Sequence, residues 1–407
     1  MKNRFFVVLF LLVYSSLFSQ TIIKGKVTTI NKIPLDGAAV YLNNTMIGTT
    51  TNSNGEFKLP IQEGTHELII SFMGYKRINY LLDSNKKAKS FHFLLEEDEN
   101  LLDEIIIGKT KYDTEWKYNL EIFKREFLGL TLFSKNCTIL NPKVLHFNFD
   151  AKKSTLTTFA KEPLQIKNKS LGYIITYDLI SFTRKQNYVS YLGYARYQNL
   201  EGGRNKQKSW KKNRLLAYNG STVHFLKSVI NNNFKAEGFN VSLFKRVPNK
   251  DRPSEETIKK ARELLKLNRN DTNFSKNLDD PKNAIDSALV IIRKVKLPKY
   301  KDFLYKSNIT ADEIISKKDG NYFLDFENNI SVTYTKEKEE KGFILRNAFS
   351  KMRTPSFQNS YVIPLKKLPS ILDKRGILVN SLDVFYEGYW SYEKFANSLP
   401  LDYNPDN

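Results

Sequence analysis

The chain has very little cysteine and histidine, and this scarcity excludes several kinds of chemistry. Its single cysteine, Cys137, cannot form a disulfide within the chain. The sequence places no histidine beside Cys137, so we interpret it as a small buried hydrophobe rather than a nucleophile. Among the four histidines no two have the spacing of metal ligands, and no cysteine pair offers a zinc site. The sequence therefore predicts no metal ligand; a carboxylate site assembled from distant residues is the alternative that it leaves open.

Motifs of common enzymes are also missing. The sequence has no Gly-x-Ser-x-Gly elbow, no phosphate-binding loop and no dinucleotide fingerprint, so it predicts no catalytic residue and no cofactor. Carboxylate pairs for glycoside cleavage meet in space and leave no motif. Asp178, Glu201 and Glu387 lie near aromatic residues and are the candidates for such a pair. A salt-bridged or merely exposed carboxylate is the alternative interpretation of each.

The N-terminus has the three parts of a secretory signal. Lys2 and Arg4 precede an apolar run from Phe5 to Tyr14, and small residues follow up to Gln20. The run is shorter than the roughly 20 residues that span a bilayer, and no later stretch is long and apolar enough to do so. We predict a signal peptide at residues 1–20 and an exported mature chain, periplasmic, outer-membrane-associated or secreted. No cysteine near the predicted cleavage point offers a site for lipid attachment.

The net charge of +21 belongs to the second part of the chain. Residues 21–110 contain ten basic and eleven acidic side chains, whereas the chain from Lys111 onward contains 52 basic and 32 acidic ones. For an exported protein this surplus favours an anionic lipid headgroup or an anionic envelope polymer as partner over nucleic acid. A basic surface that only keeps the protein soluble is the alternative.

In residues 21–95 short apolar runs are separated by turn residues such as Asn54 and Gly55, a pattern typical of an all-β domain. We predict a sandwich of seven strands. The predicted strands are Ile22–Thr29, Ala38–Leu42, Ile47–Thr51, Glu56–Leu59, His66–Phe72, Lys76–Leu82 and Ser90–Leu95. The acidic stretch Glu96–Asn100 opens a predicted linker at residues 96–110.

Five segments of this region carry a resemblance to a known family. They are Ile23–Val27, Pro34–Leu42, Gly48–Phe57, Gly64–Leu68 and Phe72–Lys76. In them the chain resembles the carboxypeptidase regulatory-like domain of bacterial proteins. The resemblance implies a prealbumin-like sandwich, a fold often grouped with carbohydrate-binding-like folds. It implies no peptidase activity, because in the parent enzymes this domain is an appendage that lacks the zinc site.

Residues 111–407 mix helical and strand patterns, which predicts an α+β domain. The helical patterns are Thr114–Gly129, Arg204–Arg214 with its extension to Tyr218, the segments that begin at Ser221, Pro253 and Thr310, and Ala284–Val295. The strand patterns are Val144–Phe149, Ser154–Phe159, Gly172–Ile180, Asn187–Tyr197, a meander of Tyr322–Phe326, Ile330–Thr335 and Gly342–Phe349, and Ile377–Tyr386. Segments such as Gly172–Leu179 and Ala217–Ser221 resemble the bodies of exported bacterial proteins that carry the same module. That resemblance implies an architecture and no activity.

The densest basic stretch is the candidate binding site. Between residues 204 and 214 there are six basic side chains and one tryptophan. A helix would place Trp210, Arg214 and Tyr218 on one stripe, and a basic segment with an aromatic residue is typical of anionic-polymer binding. The candidate binding residues are Arg204, Lys206, Lys208, Trp210, Lys211, Lys212, Arg214 and Tyr218. The alternative is a solvated helix face with the tryptophan turned inward.

The tyrosines of the predicted strand Asn187–Tyr197 give no separate sugar-binding platform. In a strand Tyr188 and Tyr194 face one side, while Tyr191 and Tyr197 face the other. A stacking platform needs its aromatic rings on one exposed face, so this pattern favours ordinary sheet packing.

Two functions remain open at this point. The first is a non-enzymatic envelope protein, in which the sandwich recognises or scaffolds a protein or glycan and the basic body contacts anionic components. The second is a polysaccharide-directed enzyme with an accessory sandwich. A cleft with two facing carboxylates about 5 to 10 Å apart would favour the enzyme.

Overall fold

The computed structural model of the chain describes residues 21–62, 64–84, 90–98, 112–186, 188–269, 272, 281–346 and 353–406. The predicted signal peptide at residues 1–20 lies outside the described residues. Most of the predicted linker at 96–110 lies outside them as well.

Residues 21–95 form a sandwich of two sheets. Its strands are β1 (Thr21–Thr29), β2 (Ala39–Leu42), β3 (Gly48–Thr50), β4 (Glu56–Ile61), β5 (Thr65–Ser71), β6 (Ile78–Asp83) and β7 (Ser90–Leu95). One sheet has the order β4-β1-β7 and the other the order β3-β2-β5-β6. Phe57, Leu59 and Ile61 alternate with exposed residues along β4 and point into the core between the sheets. The predicted seven-strand sandwich is confirmed.

A six-stranded sheet covered by one helix follows. The elements are α1 (Thr114–Leu128), β8 (Cys137–Ile139), β9 (Leu145–Asp150), β10 (Thr155–Ala160), β11 (Leu164–Asn168), β12 (Tyr173–Lys185) and β13 (Tyr188–Asn199). The sheet order is β8-β11-β12-β10-β9, and β13 pairs with the other edge of β12. Asp113 caps α1, and Gly129 ends it with a φ of 94°. Phe123 and Phe127 of α1 pack on the sheet, and Cys137 is buried there, as the sequence predicts.

The rest of the body contains two more sheets and five helices of the described part. The helices are α2 (Arg204–Tyr218), α3 (Thr222–Ile230), α4 (Glu255–Leu267), α5 (Ala284–Lys294) and α6 (Lys341–Leu345). One sheet runs β15 (Tyr300–Ser307), β14 (Phe239–Pro248), β18 (Asn329–Lys338), β19 (Phe357–Pro364) and β22 (Val384–Gly388). The other runs β16 (Ile315–Lys318), β17 (Asn321–Leu324), β20 (Ser370–Asp373) and β21 (Ile377–Leu378). The body is therefore α+β with a majority of strands.

The predicted meander after Tyr322 is wrong. β17 and β18 lie in different sheets, because the chain turns at Asn328, which has a φ of 62°. Instead of a strand from Gly342, the chain forms the short helix α6; residues 347–349 of that prediction lie outside the described part. Phe343 and Ile344 are consecutive and both buried, which a strand that alternates its faces does not favour.

The predicted strand Ile377–Tyr386 is also divided. Asn380 caps a 3-10 turn at Ser381–Asp383 by accepting a hydrogen bond from the Leu382 amide, and this turn separates β21 from β22. The side chain of Asn380 thus competes with the strand pairing at this point.

Candidate functional site

The sandwich is docked on the body through the turn between β2 and β3. The Asn44 amide donates a hydrogen bond to the Ala195 carbonyl at 2.7 Å, and the Tyr197 amide donates one to the Thr45 carbonyl at 2.9 Å. Thr45 and Arg196 thereby form a parallel bridge. The turn covers part of the free edge of β13, whose polar groups would otherwise stay unpaired.

Side chains of the sandwich enclose the first carboxylate candidate. The Tyr41 hydroxyl donates a hydrogen bond to Asp178 at 3.0 Å, and the Arg77 guanidinium lies 3.8 Å from the same carboxylate. Burial raises the pKa of Asp178, while Arg77 and the hydrogen bond from Tyr41 offset part of this rise. Asp178 therefore joins the sandwich to the body.

The other two carboxylate candidates have surroundings different from those of Asp178. Glu387 accepts two hydrogen bonds from Arg246, at 2.8 and 2.9 Å, and Arg246 also pairs with Asp302. Glu201 is exposed. Asp178 and Glu387 thus belong to different sheets and are paired with different arginines, so the structure does not make them a facing pair.

The C-terminal segment, residues 389–406, runs across all three parts of the fold. Trp390 packs in the core of the second half of the body, and Phe395 packs in the core beneath the six-stranded sheet. Farther along, the Leu401 amide donates a hydrogen bond to the Asn44 carbonyl at 2.7 Å, and Asp402 accepts one from the Met46 amide at 3.2 Å. This segment holds the sandwich and both halves of the body together.

A cavity of about 360 Å³ lies where these parts meet. We name it the aromatic cavity, because seven aromatic side chains line it: Tyr177, Tyr191, Tyr197, Tyr218, Trp390, Phe395 and Tyr403. Ligand sites in proteins have volumes of roughly 300–1,000 Å³ and walls of this type with a few polar groups. The cavity therefore has the size and lining of a small-molecule site.

Among the described residues, one glutamate and two lysines line the aromatic cavity. Burial and the neighbouring Glu337 and Glu340 raise the pKa of Glu393 to about 8, so this carboxyl is largely protonated at neutral pH. Lys394 forms an ion pair with Glu126, whose carboxylate lies 3.7 Å from its ammonium. Lys227 forms no ion pair with a described residue, and its ammonium lies 5.7 Å from the centre of the Tyr218 ring.

Two of the predicted binding residues, Trp210 and Arg214, point from α2 toward the six-stranded sheet and not into solvent. Trp210 is buried and donates a hydrogen bond from its indole nitrogen to the Lys169 carbonyl at 2.9 Å. It lies against Gly172, where a φ of 75° and the space needed by the indole both require glycine. Arg214 donates to the Leu171 and Gly172 carbonyls at 2.7 and 3.1 Å and stacks on Tyr173. Both side chains hold the turn between β11 and β12.

Five other candidates on α2 are exposed, and we name this set the cationic face: Arg204, Lys206, Lys208, Lys211 and Lys212. None of them forms an ion pair with a residue that the structure describes. A groove of about 490 Å³ runs between α2 and Tyr403, lined also by Arg204, Lys208 and Lys211. Tyr218, the eighth candidate, stacks on His224 with ring centres 4.8 Å apart and lines the aromatic cavity.

Over the described ranges, no group of three or more His, Cys, Asp or Glu side chains could hold a metal ion. Within the same ranges, no helix has the length and apolar character needed to cross a membrane.

The sandwich matches a known domain family. Residues 23–107 match the CarboxypepD_reg-like domain family. This regulatory-like module is the one that the sequence pattern predicts, and the match continues from the sandwich into the predicted linker. No curated protein matches the chain.

Two solved structures resemble parts of the chain. One is a type II cohesin–X-dockerin complex from Acetivibrio cellulolyticus, mutated at an N-terminal interface, with 19% identity and a TM-score of 0.18. The match covers 23% of this chain and 79% of that chain. The other is a 9R-lipoxygenase from Cyanothece PCC8801, with 10% identity, a TM-score of 0.16 and coverage of 53% and 49%, respectively. Such low scores say nothing about the function of the body behind the regulatory-like module.

The sequence pattern misses the aromatic cavity because its walls come from distant segments. Tyr191 and Tyr197 come from β13, Tyr218 from the end of α2, and Trp390 and Phe395 from the C-terminal segment. The high aromatic content was the one available signal. It does not show which rings meet.

Proposed function

We propose that the protein is an exported cell-envelope protein without enzymatic activity, whose body binds an anionic envelope component through the cationic face of α2. The observation that carries this proposal is the set of five exposed cations on one helix. That helix contains no acidic residue, and none of the five is paired with a described carboxylate. An unneutralised set of cations of this kind attracts a polyanion.

The structure supports a scaffolding role for the regulatory-like module. Its turn at Asn43–Thr45 and its Tyr41 and Arg77 side chains are used for contact with the body. The module has nearly neutral charge, whereas the body carries the basic surplus. We therefore assign the contact with anionic material to the body and the support of β13 to the module.

The enzymatic alternative has less support. A polysaccharide-cleaving site of the usual kind needs two carboxylates that face each other across the substrate. Among the described residues that line the aromatic cavity, the only carboxylate is Glu393. Asp178 and Glu387 are each held by an arginine outside it. The geometry therefore favours binding over cleavage.

Salt-dependent binding of the mature chain to polygalacturonate, and to vesicles that contain anionic phosphatidylglycerol, tests the proposal. Affinity for at least one of them should fall roughly tenfold or more between low and high ionic strength, because exposed charges are screened. Charge reversal of Lys206, Lys208, Lys211 and Lys212 to glutamate should abolish this binding.

A matched control reverses four lysines of the module, Lys24, Lys32, Lys58 and Lys76, which are also exposed. It changes the net charge by the same amount and should weaken binding far less. Equal losses in the two variants would mean that net charge alone acts. Binding that does not respond to salt, or no binding to either material, would overturn the proposal.

A further inference from the structure

The aromatic cavity and the groove along α2 meet at one side chain. Tyr403 lines both of them. We infer that the aromatic cavity binds one acidic sugar unit, the end of an anionic glycan whose next units lie along the cationic face. This inference rests on the proposed function and deepens it by naming the ligand.

The walls of the cavity suit a ring with axial C–H groups. Tyr177, Tyr191 and Tyr197 come from the adjacent strands β12 and β13, whereas Tyr218 comes from the end of α2 and Tyr403 from the C-terminal segment. The face of an aromatic ring is electron-rich and attracts positively polarised C–H groups. Tyr191 and Tyr197 of β13 thus line one cavity together with aromatic rings from other elements.

Polar groups among these rings argue against an acyl chain. Five polar residues line the cavity: Asn44, Ser221, Ser381, Asn397 and Ser398. Ser221, Asn397 and Ser398 already form hydrogen bonds within the protein. The polar side chains that have no partner among the described residues are those of Asn44 and Ser381. A hydrocarbon would cover these groups without giving hydrogen bonds in return, which costs free energy for each group left unsatisfied. Hydroxyl groups of a sugar can donate to them and accept from them.

The ammonium of Lys227 favours a ligand with a negative charge. This ammonium forms no ion pair with a described residue, and Asp373, the carboxylate that raises the pKa of Lys227, is bound by Arg375 at 2.7 Å. Burial and Arg375 both lower the pKa of Lys227, so a bound carboxylate would relieve an unfavourable position. Glu393 does not oppose such an anion, because its raised pKa keeps it largely neutral.

Titration calorimetry with the full mature chain and four small probes tests the inference: glucuronate, glucose, acetate and decanoate. Glucuronate should bind at least tenfold more tightly than glucose, which lacks the charge, and than acetate, which lacks the ring. Tighter binding of decanoate than of glucuronate would show a site for acyl chains and would overturn the inference. Undetectable binding of glucuronate would overturn it as well.

A pair of lysine variants locates the effect. Lys227→Gln should weaken glucuronate binding at least tenfold. Lys235→Gln should leave it unchanged, although the Lys235 ammonium also lies near an aromatic ring, 5.9 Å from the centre of Phe234. Tyr403→Ala at the mouth of the cavity provides a second loss-of-binding variant if Lys227→Gln folds poorly. Equal affinities in the wild type and a folded Lys227→Gln would contradict the assignment.

The two proposals fail in different ways. The four-lysine reversal on α2 should abolish binding of polygalacturonate while changing the affinity for glucuronate by less than about twofold, since a short-range contact with Lys227 remains. Binding of glucuronate without salt-dependent binding of polygalacturonate or anionic vesicles would refute the proposed function alone. Binding of the polymer without binding of glucuronate would refute the sugar site alone.

Discussion

The amide of Leu401 donates a hydrogen bond to the carbonyl of Asn44 across 2.7 Å, which ties the C-terminal segment to a turn of the N-terminal module. The same turn pairs with β13 through Thr45 and Tyr197. Three distant parts of the chain therefore share one small region of backbone contacts. The aromatic cavity lies beside this region, since Asn44 and Leu401 both line it. The module is thus part of the structure that forms the site.

The hydrogen bond from Tyr41 to Asp178 should stabilise the docked module. Removing the hydroxyl in Tyr41→Phe leaves a buried carboxylate with one partner fewer, which should lower the free energy of unfolding by about 1–3 kcal/mol. Urea unfolding measures this loss. Tyr80→Phe is the control, because Tyr80 is 40% exposed and its hydroxyl makes no hydrogen bond with a described residue. A loss as large in Tyr80→Phe would contradict the role given to Asp178.

Trp210 should contribute to folding and the lysine beside it should not. Trp210→Ala removes a buried indole and its hydrogen bond to Lys169, so we expect a loss of about 3–5 kcal/mol in the free energy of unfolding. Lys211→Ala changes an exposed side chain and should stay within about 0.5 kcal/mol of the wild type. Thermal and urea unfolding of both variants check this contrast, and a small loss for Trp210→Ala would refute it.

Glu393 should make the protein less stable as the pH rises. Its pKa in the folded state is about 8, above its ordinary value of 4.5, so the folded chain holds a proton that the unfolded chain has lost. The resulting stabilisation is complete below pH 4.5 and is lost as the pH rises through 8. Between pH 5 and pH 8 the wild type should lose on the order of 3 kcal/mol relative to Glu393→Gln.

Urea unfolding at several pH values measures this difference. Glu263→Gln on the exposed side of α4 is the control, and it should keep the pH dependence of the wild type. An unchanged pH profile in Glu393→Gln would show that this carboxyl ionises normally in the folded chain.

His66 should weaken the contact between module and body in acid. Its Nδ1 atom faces the Arg375 guanidinium at 3.1 Å, and its Nε2 atom donates to the Gln62 carbonyl at 2.8 Å, an arrangement that fits the neutral ring. Burial, together with Arg375, lowers the pKa of His66 below 6.5, while Gln62 and Asp373 act in the opposite sense. The unfolded chain therefore takes up a proton first, and stability should fall as the pH drops below about 6.5.

The His66→Gln variant tests this contribution. It removes the titrating ring, so its free energy of unfolding should vary less between pH 7 and pH 5 than that of the wild type. Protease cleavage within the module should accelerate in acid for the wild type and much less for the variant. Identical pH profiles for the two proteins would exclude His66 as the cause.

The sequence predicts those helices and strands in which apolar side chains recur at the spacing of the element or in which capping residues mark the ends. β4 alternates Phe57, Leu59 and Ile61 with exposed residues, and α1 is bounded by Asp113 and Gly129. β14 went unpredicted, although Phe239, Val241 and Leu243 alternate in it and would have been a usable signal. β15 offers no such signal, because all its side chains are exposed and only its backbone pairing with β14 defines it.

The sequence by itself determined the seven-strand module, the α+β character of the body and the basic helix α2, because periodicity, turn residues and caps act over a few neighbouring positions. Only the tertiary structure decided that Trp210 and Arg214 face inward while the lysines beside them stay exposed. It alone placed Asp178 under Tyr41 and brought the walls of the aromatic cavity together. Such contacts join residues 41, 43 and 137 positions apart for Trp210, Arg214 and Tyr41. The free energy that selects them comes from packing and burial that no local pattern contains.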